Sequence, residues 1–431
     1  MEAFLIFGVF ILVLLVFLST GVPVAAAMGI IGMIGSALFI SPNAIVQLSS
    51  IAFSQSTSFV LIVIPLFVWM GEILASSSIG HQLFVTAQRW LNRLPGSLAI
   101  GTIVACTGFA SICGSSPVTA ATIGSFAVPE MEKQGYNKRL ALGVTAAGGT
   151  LGILIPPSIP MILYGILTET SIGKLFIAGI LPGLMMTVLL SITVGIMIWR
   201  NPSLAPKVQS YSWNERFSSL ASVIPIIVLI VLILGVIYLG IATPTESAAV
   251  GVAGALIILL VMRQFKWQQI LSSLHSTVKT TAMFLLLLVG GLFSTFVLNR
   301  IGVPQGMASF IMDLPLEPWM IIICINLLLI VMGMFLDPMS ILVIVVPIFF
   351  PAVQAMGYDP IWFGIMMTIT IEIAAITPPV GFNLFVLKSV TKDTNLGDVI
   401  QGAFPFVIPL ILGILLILMF PQIVLWLPSF M

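Results

Sequence analysis

Long apolar segments recur along the whole chain, and nothing limits its fold more. Residues 4–18, 22–40, 59–71, 175–199, 221–241, 246–262, 319–336 and 405–427 are almost free of charge. Segments of this kind suit a bilayer whose hydrocarbon core is about 30 Å thick. Charged residues make up 7% of the chain and apolar ones 59%, whereas a soluble domain carries about 25% charge. The chain is therefore expected to be an all-α polytopic membrane protein, because lipid-exposed backbone has to satisfy its own polar groups. The first segment lacks a basic leader and runs at once into the second, so it reads as a retained helix and not as a cleaved signal.

Several function classes drop out early. A net charge of +1 gives no overall attraction for nucleic acid. Cys106, Cys113 and Cys324 lie in apolar segments without CxxC spacing, and His81 and His275 stand far apart. This indicates neither a disulfide framework nor a metal site, and the cysteines read as small buried hydrophobes. No GxxxxGK[ST] loop is present, so there is no visible ATPase engine. No Ser/His or metal-ligand constellation suggests an enzyme, and no selectivity-filter pattern suggests a channel.

The chain also repeats itself. Pro129, Gly135, Tyr136 and Asn137 are matched by Pro351, Gly357, Tyr358 and Asp359 at an offset of 222. The same offset carries Pro156 and Pro157 onto Pro378 and Pro379, and Ser115 and Ser116 onto Asp337 and Pro338. Pro23 of GVPVAAAMG and Pro244 of ATPTESAAVG are 221 apart. Two halves follow, residues 1–205 and 221–431, joined by a polar connecting loop at 206–220. Lys133, Lys138 and Arg139 flank the first Gly-Tyr loop, whereas the second has no basic residue between Pro351 and Pro360. Basic loops favour the cytoplasm, so the two repeats are expected to be inverted.

Four places interrupt the helices. Cys113-Gly114-Ser115-Ser116-Pro117 and Leu336-Asp337-Pro338-Met339-Ser340 are expected to be the tips of re-entrant hairpins, at about 97–130 and 319–352. Gly148 to Ser158 and Thr377 to Asn383 each hold consecutive prolines, which remove N–H donors and disfavour helix before them. Broken helices are expected there, at about 138–168 and 360–390. Freed carbonyls and hydroxyls suit a small hard cation, while helix N-termini suit an anion. The bland alternative, that Gly and Pro merely kink the helices, is weakened because the four sites pair at one offset.

Glu72, Glu246, Asp337 and Glu372 are the acids embedded in apolar sequence, where a lone charge is costly and often functional. Glu72, Glu246 and Glu372 have a plain alternative in capping helices or bonding neighbouring hydroxyls. Asp337, at a hairpin tip, is the strongest functional candidate. Residues 43–58 and 266–279 have mixed faces and pair at a similar offset, which fits helices lying at the membrane interface.

The blocks PLFVWMGEIL, GSSPVTAATIG, GYNKRLA, GGTLGILIPPS, ATPTESAAVG, GMFLDPMS and TPPVGFNLFV together resemble the large, DctM-like membrane subunit of tripartite ATP-independent periplasmic (TRAP) transporters. The resemblance covers essentially the whole chain. It implies a multi-pass subunit of the bacterial inner membrane that uses no cofactor and performs symport with Na+ as coupling ion. The implied partners are a small four-helix membrane subunit, expected as a separate chain, and a periplasmic substrate-binding protein. The implied mechanism is an elevator, in which a transport domain of hairpins and broken helices slides against a scaffold.

Carried over to this chain, the resemblance implies one sodium site at Ser115, Ser116, Gly149, Gly152 and Pro156. A second is implied at Gly333, Asp337, Ser340, Thr377, Pro378 and Gly381. Cargo would contact Gly114, Ser115, Ser116, Pro157, Ser158, Pro338, Met339, Pro379 and Asn383, between the two tips. The expected cargo is an organic acid anion, a C4-dicarboxylate or a sialic acid, and the rival reading is a stand-alone sodium/divalent-anion symporter.

Overall fold

The computed structural model describes residues 2–206 and 211–431, and these contain helices and no strand. The first half comprises α1 (Glu2–Ser19), α2 (Val24–Phe39), α3 (Val46–Ser56), α4 (Val63–Ala75), α5 (Ile79–Leu91), α6 (Ser97–Cys113), α7 (Ser116–Lys133), α8 (Lys138–Thr150), α9 (Ile159–Thr168) and α10 (Ile172–Arg200). The second comprises α11 (Trp213–Tyr238), α12 (Pro244–Val261), α13 (Trp267–Arg300), α14 (Val303–Met312), α15 (Pro318–Gly333), α16 (Pro338–Ala355), α17 (Pro360–Ala375), α18 (Phe382–Val390), α19 (Leu396–Met419) and the short α20 (Gln422–Leu425).

A shift of about 222 residues lays α1 on α11, α2 on α12, α3 with α4 on α13, and α5 through α10 on α14 through α19. Packing repeats the relation reciprocally. Helix α2 packs on α13 and α12 on α4; α1 packs on α14 and α11 on α5; α9 packs on α16 and α18 on α7. An exchange in which each contact has a mirror-labelled counterpart is what a two-fold relation generates.

Loop contacts show that the relation is an inversion. Asn137 N–H donates to the Leu204 carbonyl at 3.0 Å, Arg139 pairs with Asp398 at 2.9 Å, and Lys138 reaches the Asp393 carbonyl at 2.8 Å. The ends of the α6–α7 hairpin lie with these loops on one face. At the other face the Tyr164 hydroxyl donates to the Pro360 carbonyl at 2.6 Å, beside the ends of the α15–α16 hairpin. The first face carries Lys133, Lys138, Arg139, Arg200, Lys388 and Lys392 together with Glu132, Asp393 and Asp398, whereas Glu169, Lys174, Glu317 and Asp359 lie at the second. The first face is thus the richer in basic residues, as cytoplasmic loops are in general.

The two halves meet backbone to backbone. A Cβ on Gly143 of α8 would lie 1.9 Å from the Gly402 carbonyl oxygen of α19, and one on Gly402 would lie 2.1 Å from that of Arg139. Small residues at such a crossing let helices approach closely where lipid supplies no hydrophobic drive.

Three sequence expectations need correction. Residues 43–58 form a separate segment bent by 59° from the helix that follows, but their counterpart at 266–279 is the opening of the 34-residue helix α13. The mixed face is present in both. Only the first breaks, because Ser58 adopts extended backbone with ψ 120°, while nothing near Lys279 interrupts the i→i−4 ladder. The expected connecting loop at 206–220 is helical from Trp213, where Ser212 and Glu215 form a capping box; residues 207–210 of that loop lie outside the described residues. The apolar run at 405–427 is not one span, since α19 starts at Leu396, ends at Met419 and gives way to Phe420-Pro421.

Candidate functional site

Each hairpin tip abuts the break of its own half. In the first half α6 stops at Cys113, Gly114 turns the chain with φ 60°, and α7 starts at Ser116 behind the N-cap Ser115. A side chain on Gly114 would be strained at that φ, and its Cβ would lie 2.4 Å from the Pro157 carbonyl oxygen. The Gly114 carbonyl in turn accepts Ile159 N–H at 3.3 Å. Gly149 of α8 and Gly152 just beyond its end close the approach, for a Cβ on Gly149 would lie 2.6 Å from Ala120 Cβ and one on Gly152 2.6 Å from the Ser115 carbonyl oxygen. That carbonyl also accepts the Thr119 hydroxyl at 2.9 Å.

In the second half α15 stops at Gly333, which faces Ala374 of α17, and the Met334 carbonyl accepts Val380 N–H at 3.2 Å. The Thr377 hydroxyl donates to the Ile373 carbonyl at 2.5 Å, and Gly381 turns the chain into α18 with φ 57°. Both Pro-Pro bonds, Pro156-Pro157 and Pro378-Pro379, are cis.

The prolines determine which carbonyls lose their helical donors. Lacking N–H groups, Pro156 and Pro157 leave the Gly152 and Ile153 carbonyls without i+4 partners, and Pro378 and Pro379 do the same to Ala374 and Ala375. Ser158 restores one by donating to the Ile153 carbonyl, and Thr377 N–H restores another at the Ala374 carbonyl, 3.1 Å away. The Gly152 and Ala375 carbonyls keep no donor from the helical ladder. They stand at the two breaks, where free carbonyl oxygens are of the kind that hard cations take.

Ser115 and Asp337 occupy equivalent N-caps but spend their side chains differently. Asp337 accepts from Met339 N–H at 3.1 Å and Ser340 N–H at 3.4 Å, and Ser340 donates its hydroxyl to the other oxygen. Pro338 opens the helix and Met339 is half-buried. The Asp337 carboxylate is thus engaged in holding the tip. The Ser115 side chain makes no capping bond and remains available to a ligand.

Across the halves, Asn383 Nδ2 donates to the Ser116 hydroxyl at 2.5 Å, with both residues buried. Through this bond the first tip touches the segment just past the second break. The two breaks differ in exposure: Pro156, Pro157 and Ser158 are buried, while Thr377 and Pro378 are half-buried and Pro379 is exposed.

Of the embedded acids, Glu246 forms a capping box with Thr243. Glu372 is fully buried with neither oxygen hydrogen-bonded, and Glu72 lies half-buried beside the first tip. Thr119 was missed from sequence, although its place one turn after Ser115 is a signal that could have found it. Ala375 carried no signal beyond standing four residues before Pro379.

The family described as the DctM component of the tripartite ATP-independent periplasmic transporter matches residues 11–423. This chain belongs to that family. It is a transport permease and not an enzyme, set by its helices in the inner membrane. It is 37% identical to the C4-dicarboxylate TRAP transporter large permease protein DctM of Pseudomonas aeruginosa, over 94% of each chain. It is 36% identical to the ectoine TRAP transporter large permease protein TeaC of Halomonas elongata, covering 85% of this chain and 86% of that one. Identity to the sialic acid TRAP transporter large permease protein SiaM of Vibrio cholerae is 33%, over 86% and 87%. The crystal structure of the Alcanivorax borkumensis YdaH transporter shares the fold with a TM-score of 0.63 at 15% identity, covering 88% of this chain and 89% of that one.

Proposed function

We propose that this DctM-family chain performs sodium-coupled uptake of an organic acid anion, a C4-dicarboxylate or a sialic acid, across the inner membrane. It is the large, transport-competent subunit, working with a small four-helix membrane subunit and a periplasmic substrate-binding protein. The observation that carries the reading is the Ser116–Asn383 bond, which links the first tip to the second break, so that both tips and both breaks form one connected region.

Sodium is held at Ser115, Ser116, Gly149, Gly152 and Pro156, and again at Gly333, Asp337, Ser340, Thr377, Pro378 and Gly381. The Gly152 and Ala375 carbonyls supply oxygen, and at the second site Asp337 acts by fixing the tip. Cargo lies between the tips, against Gly114, Ser115, Ser116, Pro157, Ser158, Pro338, Met339, Pro379 and Asn383, where the N-termini of α7 and α16 favour an anion. Bound sodium lowers the cost of bringing that anion into the membrane. The hairpins and broken helices then move as a body against a scaffold that includes α4 and α13. Dicarboxylate and sialic acid permeases among the relatives support the acid cargo, although the ectoine permease shows that related chains carry other solutes.

Reconstitution tests the proposal. Purified chain in liposomes, with the small subunit and a loaded binding protein, is expected to take up cargo only down an inward sodium gradient. Uptake by the chain alone would instead make it a stand-alone symporter.

A further inference from the structure

Helix α4 of the scaffold approaches the first hairpin tip closely at Gly71. A Cβ on Gly71 would lie 2.9 Å from Cys113 Cα and 3.2 Å from the Cys113 carbonyl oxygen. Beside that contact lies a chamber of about 50 Å³, lined by Glu72, Cys113, Ser115 and Thr280 among others. Its polar groups come from three separate elements. Glu72 and Thr280 stand on α4 and α13, while Cys113 and Ser115 end one arm of the hairpin and cap the next.

We infer that this chamber is a further cation site, adjoining the first tip's sodium site and sharing Ser115 with it, and that it takes a sodium-sized ion. Beside the apolar Val68, Val118 and Ile159, the lining residues offer one formal negative charge and four kinds of oxygen donor, the Glu72 carboxylate, the Ser115 and Thr280 hydroxyls and the Cys113 carbonyl. Hard monovalent and divalent cations take such oxygens. Among the described residues no hydrogen bond or ion pair engages the Glu72 carboxylate, and an uncompensated carboxylate inside a membrane protein is costly. The Ser115 hydroxyl is free of capping, and Cys113 presents its carbonyl at the C-terminal, negative end of α6. The chamber holds an ion with a water but no organic acid. Because the site needs α4 and the tip together, its ion binds only while the hairpin rests against the scaffold, and so favours that arrangement by mass action.

This inference rests on the sodium-coupled reading, and its test separates the two. The full chain is purified, and thermal unfolding is followed in sodium chloride against choline chloride for wild type, Glu72→Gln, Glu72→Asp and Thr280→Val. Sodium-dependent uptake is measured with both partners present. Glu72→Gln is expected to raise the half-saturating sodium concentration about tenfold, since charge count tunes such sites, to flatten the sodium dependence, and to shrink the sodium-induced rise in unfolding temperature. Glu72→Asp is expected to recover part of both effects and Thr280→Val to show a weaker loss, while half-saturation for cargo in excess sodium stays the same. Unchanged sodium dependence in Glu72→Gln would overturn the site. So would a moved pH profile with sodium dependence intact, or tighter cargo binding alone. If wild-type uptake ignores sodium, the coupling reading fails, and the unfolding shift still decides whether Glu72 holds the ion.

Discussion

The side-chain amide of Asn383 donates to the hydroxyl of Ser116 at 2.5 Å, joining residues 267 positions apart in the chain. Asn383 belongs to the first turn of α18 and Ser116 to that of α7. The bond therefore fastens the tip of one repeat to the far side of the break in the other. No equivalent joins the reverse pair, since the matching positions are Met161 and Pro338.

Ser116→Ala leaves the buried Asn383 amide without its acceptor, which costs about 1–3 kcal/mol. Asn383→Leu leaves the Ser116 hydroxyl unpaired. Each is expected to lower the unfolding temperature and slow uptake, and the double variant is expected to be less impaired than the sum, with a coupling of about 1 kcal/mol. A thermodynamic cycle on the purified subunit checks this, and strict additivity would show that the bond is not formed.

Asp337 offers a sharper discrimination. Its carboxylate caps α16, and Asn caps helices about as well as Asp, whereas Ala costs about 1 kcal/mol. Asp337→Asn is expected to retain most sodium-dependent uptake and Asp337→Ala to lose much of it. Abolition by Asn would mean that the charge itself binds sodium. Initial rates across a sodium series separate the two outcomes.

Gly152→Ala would place its methyl carbon 2.6 Å from the Ser115 carbonyl oxygen, obstructing the first of the proposed sodium sites while removing no side chain. It is expected to raise the half-saturating sodium concentration by at least about tenfold, because backbone has to shift to admit the methyl. Ser115→Ala, which keeps that carbonyl, is expected to do less to this site. Equal sodium curves for wild type and Gly152→Ala would remove the site from this location.

Gly402→Val tests the joint between the halves. Its Cβ would lie 2.1 Å from the Arg139 carbonyl oxygen, and overpacking of this kind costs about 1–3 kcal/mol or more. The variant is expected to unfold at lower temperature, with a larger shift than Gly195→Val, where a Cβ would meet nothing within 4 Å. Thermal unfolding in detergent reads the difference.

Much of this arrangement was legible in the chain because helix breaks in a membrane are written in few residue types. Gly114-Ser115 and the proline pairs mark the tips and breaks, and Lys133, Lys138 and Arg139 set the orientation of the first hairpin. What escaped depends on tertiary contact. The Ser116–Asn383 bond spans the repeats and has no local signature. The amphipathic character of 43–58 and 266–279 is the same, yet α13 continues where α3 stops, because side-chain polarity does not report backbone ψ at Ser58. Asp337 reads as a buried charge until its place before Pro338, at an N-cap, is recognised.

The most direct measurement is the co-entry of radiolabelled sodium driven by cargo, in liposomes holding this chain with its small subunit and binding protein. Adding loaded binding protein should drive sodium inward in fixed proportion to cargo, and Gly152→Ala should suppress both fluxes together. Cargo entry with no accompanying sodium, in wild type, would contradict a carrier whose tips and breaks are organised around bound sodium.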